Sequence, residues 1–241
     1  MQSGNEIELS VVIPVFNERE NLSRLCREAI RVLDGLEKRY ELLIIDDGST
    51  DGSCDTLRAE KNDFPALRLI RLSTRQGQSA ALAAGFRSAR GRLIITMDGD
   101  LQTDPADIPR LLAHIDEYDL VIGYRYPRRD PLWKKFQAAL ANRIRSLILG
   151  DSIRDIGCPL RVIRKSDLAE IPIFDGFHRF IPILLEANGR SVGQVRVRHR
   201  PRLEGRSKYG MMNRVFRTFI DAWCVKWLIR RKIGNEGEEI K

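Results

Sequence analysis

The residues best suited to chemistry are two carboxylates that follow an apolar run. Residues 93–97 are apolar or β-branched, and Asp98-Gly99-Asp100 comes directly after them. The run is typical of a buried strand, and open α/β sheets bind ligands at the carboxyl ends of their strands. Gly99 permits a tight turn, so both carboxylates can face one point, and Gln102 adds a neutral oxygen. This set suits a hard divalent cation that shares its oxygens with substrate phosphates.

An isolated Asp-x-Asp triplet is common, and it also fits an acidic turn before a helix that begins at Asp104-Pro105. The other polar turns of the chain favour a metal site over a simple acidic turn. Residues 9–16 and 42–45 are also apolar runs that end in polar turns, Asn17-Glu18 and Asp46-Asp47-Gly48. We expect a helix N-cap at Thr50 or Asp51. Further strands are predicted at 67–72 and 120–123, and helices at 22–33, 80–89 and 105–115. Alternating strands and helices predict a mostly parallel α/β sheet flanked by helices.

The second half of the chain has a less regular pattern. Residues 130–149 and 211–232 are predicted as amphipathic helices, and 191–199 as a strand; another helix opens at 176–182. The predicted organisation is a catalytic domain at 1–210, a basic amphipathic helix at 211–233 and a disordered polar tail at 234–241. The helix at 211–233 either lies in a membrane interface or packs on the core.

Composition limits the partners. The chain has 241 residues, a formal net charge of +8 and a pI of about 9.6, which suits phosphates, nucleic acid or an acidic membrane face. Cys26, Cys54, Cys158 and Cys224 lie far apart, which predicts reduced thiols in a cytoplasmic protein and no zinc site. No signal segment or membrane-spanning run is recognised.

Five motifs, taken together and in this order, identify a family. The chain resembles the family-2 glycosyltransferases of the GT-A, Rossmann-like fold, and among them the polyprenyl-phosphate sugar transferases, which include dolichyl-phosphate mannose synthase. The resemblance runs from about Leu9 to Tyr209. The motifs are Ile13-Pro14-Val15-Phe16-Asn17-Glu18, Asp46-Asp47-Gly48-Ser49, Gly77 before the Ala-rich helix, Asp98-Gly99-Asp100-Leu101-Gln102 and Arg202-Leu203-Glu204-Gly205-Arg206-Ser207-Lys208-Tyr209.

The resemblance implies a role for each motif. The nucleotide-binding positions would be Pro14, Phe16, Glu18, Asp47, Gly77 and Asp98. The ligands of Mg²⁺ or Mn²⁺ would be Asp98, Asp100 and Gln102. The positions that bind the diphosphate and the acceptor would be Arg125, Lys134, Arg202, Ser207 and Lys208. Arginine suits phosphate because its planar fork binds two oxygens at once. Lys134 stands where the family has an arginine, so it keeps the charge and loses the fork.

The catalytic set implied by the resemblance is Asp100, Arg125, Asp155 and Arg202. Asp155 either orients or deprotonates the acceptor, or it pairs with Arg125 or Arg202 and holds that arginine in place. His178 at a helix start is interpreted as structural or as a phosphate contact. Arg196, Arg198 and Arg200 are interpreted as solvated surface charges.

The predicted function is inverting transfer of one sugar from a UDP- or GDP-sugar to undecaprenyl or dolichyl phosphate, with a divalent metal. The alternative is a glycosyltransferase of the same fold with a soluble or polysaccharide acceptor. A nucleic-acid-binding module would leave Asp98-Gly99-Asp100 unexplained, and the complete acidic set of Asp47, Asp98 and Asp100 argues against an inactive nucleotide-sugar sensor. The expected location is peripheral, on the cytoplasmic face of the cell membrane. A membrane-anchoring partner, a homo-oligomer, the sugar and the nucleoside are left open.

Overall fold

The computed structural model describes residues 6–126, 142–143, 145–201 and 211–231, with the backbone alone for 211–219. These residues form a seven-stranded sheet of order β3-β2-β1-β4-β6-β5-β7. The strands are β1 Leu9–Val15, β2 Tyr40–Asp46, β3 Leu67–Arg71, β4 Leu93–Thr96, β5 Leu120–Arg125, β6 Arg161–Arg164 and β7 Val192–Val197.

Six of these strands run in one direction. β1 is parallel to β2 and β4, β2 is parallel to β3, and β5 is parallel to β7. β6 is antiparallel to both β4 and β5, so β5 points the same way as β4. The carboxyl ends of β1, β2, β4, β5 and β7 therefore meet at one edge of the sheet, and β6 begins there.

The helices cover the sheet with apolar faces. They are α1 Arg19–Asp34, α2 Ser53–Ala59, α3 Gln78–Ser88, α4 Ile108–Leu112, α5 Lys165–Leu168, α6 Phe177–Ala187 and α7 Met211–Arg230. Short 3₁₀ turns span Lys61–Asp63 and Pro105–Asp107. In α1 the buried Leu22, Leu25, Ala29 and Leu33 recur at helical spacing. In α3 a Cβ at Gly85 would lie 2.3 Å from Val12 Cγ1, so the absence of a side chain lets α3 pack closely on β1.

The predicted fold class is confirmed, with two corrections. β6 was not expected as a strand: its run is four residues long and both its ends are arginines, so it lacks a clear apolar pattern. The N-cap expected at Thr50 or Asp51 is wrong. Gly52 takes that position with φ of 85°, and the carboxylate of Asp51, one residue earlier, accepts from the Ser53 N–H just inside the helix. The predicted start after Asp104 is confirmed, because its side chain accepts from Ala106 N.

The last described helix, α7, has two different faces over its C-terminal half. Ala222 and Val225 are buried, and the helix packs against α6. Ile220, Trp223 and Trp227 are exposed. Among the described residues, no helix has the length and apolar character needed to cross a bilayer. The tail predicted at 234–241 lies outside the described residues.

Candidate active site

The shared edge of the sheet gathers residues that are far apart in sequence. Phe16 follows β1, Asp47 follows β2, Asp98 lies two residues beyond β4, and Arg125 ends β5. A parallel sheet concentrates these positions because every strand delivers its carboxyl end to the same side. The motif residues that the structure describes therefore lie at one edge of the sheet.

Asp47 holds the loop that contains Gly77. Its Oδ1 accepts from Gln76 N at 2.7 Å, and its Oδ2 accepts from Gly77 N at 2.8 Å. Gly77 has φ of 95°, and a Cβ there would meet no atom within 4 Å. The backbone at Gly77 thus faces open space, which suits the close approach of a flat ligand. Asp47 therefore also stabilises the backbone at Gln76 and Gly77, a role that the sequence did not predict.

The turns after β1 and β2 are bound to each other. Asn17 N donates to Ser49 Oγ at 2.9 Å, and Thr50 N donates to Asn17 Oδ1 at 2.8 Å. Asn17 has φ of 53°, a conformation that asparagine tolerates better than most residues. Glu18 accepts from the Asn21 side chain at 2.7 Å, so its carboxylate stabilises the start of α1.

Phe16 has a cationic neighbour. The Arg75 guanidinium lies 4.1 Å from the centre of the Phe16 ring, within the range of a cation–π contact. Sequence reasoning missed Arg75, because an arginine before Gln76-Gly77 has no distinctive spacing. It brings positive charge to the ring predicted to face the nucleoside.

The predicted metal ligands lie on a tightly folded turn. Asp98 Oδ1 accepts from Gln78 Nε2 at 2.9 Å, and Asp100 Oδ1 accepts from Gln102 N at 3.1 Å. Leu101 is buried with φ of 61°, so this turn keeps a conformation that a non-glycine side chain rarely adopts. A Cβ at Gly99 would lie 2.8 Å from Val15 Cγ1, which explains the glycine between the carboxylates.

The donor chemistry of this turn fits Mg²⁺ or Mn²⁺. It offers carboxylate and amide oxygens only, which are ligands that hard cations prefer. Within the described part of the chain no cluster of three or more His, Cys, Asp and Glu side chains forms a ready-made cage. Two carboxylates and one amide would leave coordination positions for diphosphate oxygens.

Arg125 and Asp155 form a two-point ion pair. Arg125 Nε donates to Asp155 Oδ2 at 2.7 Å, and Nη2 donates to Oδ1 at 2.9 Å. Burial lowers the pKa of the Arg125 guanidinium, but the hydrogen bonds and charge of Asp155 outweigh it, so the pKa lies above its usual value. The pairing that the sequence offered as one alternative for Asp155 is therefore present.

Arg161 is a buried cation that sequence reasoning did not select. It begins β6 at the same edge, and it donates through Nε to Cys158 O at 3.1 Å and through Nη2 to Ile156 O at 2.9 Å. A third bond joins Nη1 to His178 O. Burial lowers the pKa of Arg161 to about 10. The sequence did not predict a role for Arg161 because this residue lies in β6, the strand that was not expected.

The remaining predicted positions fall into two groups, those outside the residues that the structure describes and those within them. Lys134, Arg202, Ser207 and Lys208 lie outside the described residues. Arg196 lies 4.8 Å from the Tyr126 ring, and Arg198 is largely exposed. Arg200, expected as a solvated charge, instead bridges Glu28 and Asp104 and ties the segment after β7 to α1.

A mostly parallel sheet with an Asp-x-Asp turn and the arginines Arg125 and Arg161 at one edge is the arrangement expected of a glycosyltransferase of the GT-A type. Residues 10–171 match the family described as Glycosyl transferase family 2. The chain belongs to this family, as its motifs predicted, and is thereby a glycosyltransferase.

Curated relatives share much of the chain. It is 38% identical over 232 residues to dodecaprenyl-phosphate galacturonate synthase of Rhizobium johnstonii, covering 94% of this chain and 68% of that one. It is 39% identical over 207 residues to undecaprenyl-phosphate 4-deoxy-4-formamido-L-arabinose transferase of Edwardsiella ictaluri, covering 85% and 63%. The chain thus spans 68% and 63% of the lengths of these two relatives.

Solved structures share the fold. Glucosyl-3-phosphoglycerate synthase from Mycobacterium tuberculosis, crystallised with Mg²⁺ and uridine diphosphate, matches with a TM-score of 0.68 at 20% identity, over 90% of this chain and 80% of that one. The same enzyme with Mn²⁺ and UDP-glucose matches with a TM-score of 0.68 at 19% identity, over 91% and 79%. At this identity the likeness establishes the GT-A fold alone.

Proposed function

We propose that this protein transfers one sugar, with inversion, from a nucleoside diphosphate sugar to a polyprenyl phosphate of the undecaprenyl or dolichyl type. The observation that carries the proposal is the convergence of Asp47, Asp98 and Arg125 at one edge of the sheet. The relatives support it, because their names describe synthesis of polyprenyl-phosphate sugars.

The nucleoside would lie against the turns after β1 and β2. Pro14 and Phe16 would pack on the base, and Asp47 would accept from its imino N–H. A carboxylate has about four acceptor sites, so Asp47 can hold the Gln76–Gly77 backbone and still bind a base. Glu18 would act through the Asn21 contact that stabilises this wall.

The metal would be held by Asp98, Asp100 and Gln102 together with the donor diphosphate. Bound there, it would neutralise charge that develops on the leaving group. Contacts within the protein orient these ligands: Gln78 at the start of α3 donates to Asp98, and the Gln102 N–H donates to Asp100.

The chemical step is a displacement at the anomeric carbon. An oxygen of the lipid phosphate forms a bond to that carbon, the bond to the β-phosphate oxygen breaks, and the nucleoside diphosphate leaves with the electron pair. The second pKa of a phosphate monoester is about 6, so at neutral pH the nucleophile is already mostly anionic. A strong general base is unnecessary, and Asp155 serves by fixing Arg125 at the reacting phosphates.

The acceptor phosphate would be bound by Arg125 with Lys134, Arg202, Ser207 and Lys208 of the motif segments. The lipid requires access to a membrane. α7 supports a peripheral position on a membrane surface, because Trp223 and Trp227 are exposed and Lys226 and Arg231 lie against their rings. Aromatic and cationic side chains together are typical of helices in an acidic interface. A membrane-anchoring partner or a second copy of the chain would serve the same need.

The test is a panel of UDP- and GDP-sugars with undecaprenyl phosphate and Mg²⁺ or Mn²⁺, with label followed into the organic phase. Asp100→Asn removes a proposed metal ligand, and Asp116→Asn is the matched control at an exposed acid. We expect metal-dependent lipid labelling that survives in the control and falls at least about a hundredfold in Asp100→Asn.

The outcomes separate donor from acceptor. Hydrolysis of a nucleotide sugar without lipid labelling would retain the donor site and refute the lipid acceptor. Equal labelling in both aspartate variants would refute the metal assignment. Absence of binding to every nucleotide sugar would refute the proposal as a whole.

A further inference from the structure

A pocket adjoins the proposed metal ligand Asp98. Pro14, Gln78 and Asp98 line it together with Arg161, His178 and Arg179. Of the residues proposed to hold the nucleoside, Pro14 and Asp98 border this pocket, whereas Phe16, Asp47 and Gly77 do not. In a donor anchored through its nucleoside and diphosphate, the group beyond the diphosphate is the sugar.

Arg161 gives this pocket a cation that forms no salt bridge with any carboxylate in the described part of the chain. Its three hydrogen bonds go to the carbonyl oxygens of Ile156, Cys158 and His178. The side chain is buried, and Asp98 and Asp155 act on it through their charges. A buried charge is costly to maintain, and an anion that enters the pocket would offset that cost.

His178 is fixed in place at the pocket wall. Its Nδ1 lies 2.9 Å from Ser79 Oγ, and the same hydroxyl accepts from Gly176 N at 2.8 Å. Ser79 also lies 3.3 Å from Asp175 Oδ1. The first turns of α3 and α6 therefore hold the imidazole in one orientation, beside Arg179 on the next position of α6.

We propose that this pocket receives the sugar of the donor, and that Arg161, His178 and Arg179 select a sugar that carries a carboxylate. The inference rests on the proposed function and deepens it, because the names of the relatives divide between a uronate and a formamido sugar. A carboxylate would form charge-assisted hydrogen bonds to this wall, and a neutral hydroxymethyl group would not.

The experiment compares donors that differ only at C6. Dissociation constants are measured by calorimetry with Mn²⁺ for UDP-glucose against UDP-glucuronate, UDP-galactose against UDP-galacturonate and GDP-mannose against GDP-mannuronate, and for UDP and GDP alone. The variants are His178→Gln and Arg179→Gln, with Arg58→Gln as a matched exposed arginine on α2. Arg161→Gln is added with its unfolding midpoint, because it is buried.

We expect at least one uronate donor to bind about tenfold or more tightly than its neutral partner. One charge-assisted hydrogen bond is enough for a difference of this size. His178→Gln and Arg179→Gln should bring that ratio close to one and leave the affinity for the bare nucleotide within about twofold. Arg58→Gln should preserve the ratio.

Equal or tighter binding of the neutral sugar in every pair would overturn the inference. So would an equal loss of affinity for the bare nucleotide in the variants, because the wall would then serve the diphosphate. Transfer of neutral sugars to lipid at rates equal to or above those of their uronate partners would refute this inference and leave the proposed function standing, whereas absence of any nucleotide binding would refute the proposed function itself.

Discussion

The side chains of Arg125 and Asp155 are joined at two points, Nε to Oδ2 at 2.7 Å and Nη2 to Oδ1 at 2.9 Å, across thirty residues of sequence. Oδ2 also accepts from the Arg125 backbone N–H at 3.3 Å. Both carboxylate oxygens are thus engaged with one arginine. This arrangement fixes the direction of the guanidinium and leaves Asp155 poorly suited to remove a proton.

Asp155→Asn should slow transfer without changing the shape of its pH dependence. The amide keeps one acceptor and loses the charge, so Arg125 loses its fixed direction and kcat should fall about tenfold to a hundredfold. The acid limb should persist, because it follows ionisation of the acceptor phosphate near a pKa of about 6. The measurement is the pH–rate profile with saturating donor.

Arg125→Lys is the companion variant, since it keeps the charge and loses the fork. If the two residues act as a unit, the double variant should cost little more than either single one. Loss of the acid limb in Asp155→Asn alone would instead identify Asp155 as the base.

Gly77→Ala should weaken nucleotide binding more than it weakens the fold. Its φ of 95° and ψ of 163° form a conformation that is almost confined to glycine and costs a side chain about 1–3 kcal/mol, yet no protein atom lies near the added Cβ. Gly189→Ala is the control, because that glycine also has a positive φ, 77°, and open surroundings. Both variants should lose stability in urea, and only Gly77→Ala should lose about tenfold or more in affinity for the nucleotide. If Gly77→Ala and Gly189→Ala bind the nucleotide with similar affinity, the nucleoside does not bind at Gly77.

The sequence was sufficient to predict six of the seven strands, all except β6, because strand and turn chemistry agree locally there. The apolar runs before Asp47 and Asp98 end in glycine-containing turns, and a parallel sheet brings such turns to one edge. The family motifs supplied the same order of elements, and the comparisons confirm the family.

The rest depends on contacts between distant residues, which no local pattern encodes. Arg75 covers Phe16, Arg161 enters the site from an antiparallel strand, and Arg200 leaves the surface to bridge Glu28 and Asp104. An arginine in a basic sequence has the same local signature whether it binds a ring, a carbonyl or water. Tertiary structure alone separates these roles.

Glu41 should contribute stability that disappears in acid. Burial raises its pKa, but hydrogen bonds from Ser10 and Arg68 and from the Arg90 backbone prevail, so the folded-state pKa lies below its usual value. The unfolded chain therefore binds a proton first as pH falls, and the contribution, present above pH about 4.5, is lost below it. Glu41→Gln should cost about 1–3 kcal/mol at neutral pH, and the difference from the native protein should shrink in acid. Urea unfolding between neutral pH and strong acid measures this, with Glu117→Gln as the surface control; a constant difference would contradict it.

The exposed face of α7 should govern attachment to membranes. Trp223 and Trp227 are exposed, with Lys226 5.7 Å from the Trp223 ring and Arg231 5.2 Å from the Trp227 ring. The double variant Trp223→Ala, Trp227→Ala should bind anionic vesicles about tenfold or more weakly and keep its unfolding midpoint nearly unchanged, because exposed side chains contribute little to the fold.

Val225→Ala, on the buried face of the same helix, is the control with the opposite expectation. It should lower stability and leave vesicle binding intact. Sedimentation with neutral and anionic vesicles measures both. Undiminished binding of the double tryptophan variant would show that α7 is not the surface that meets the lipid.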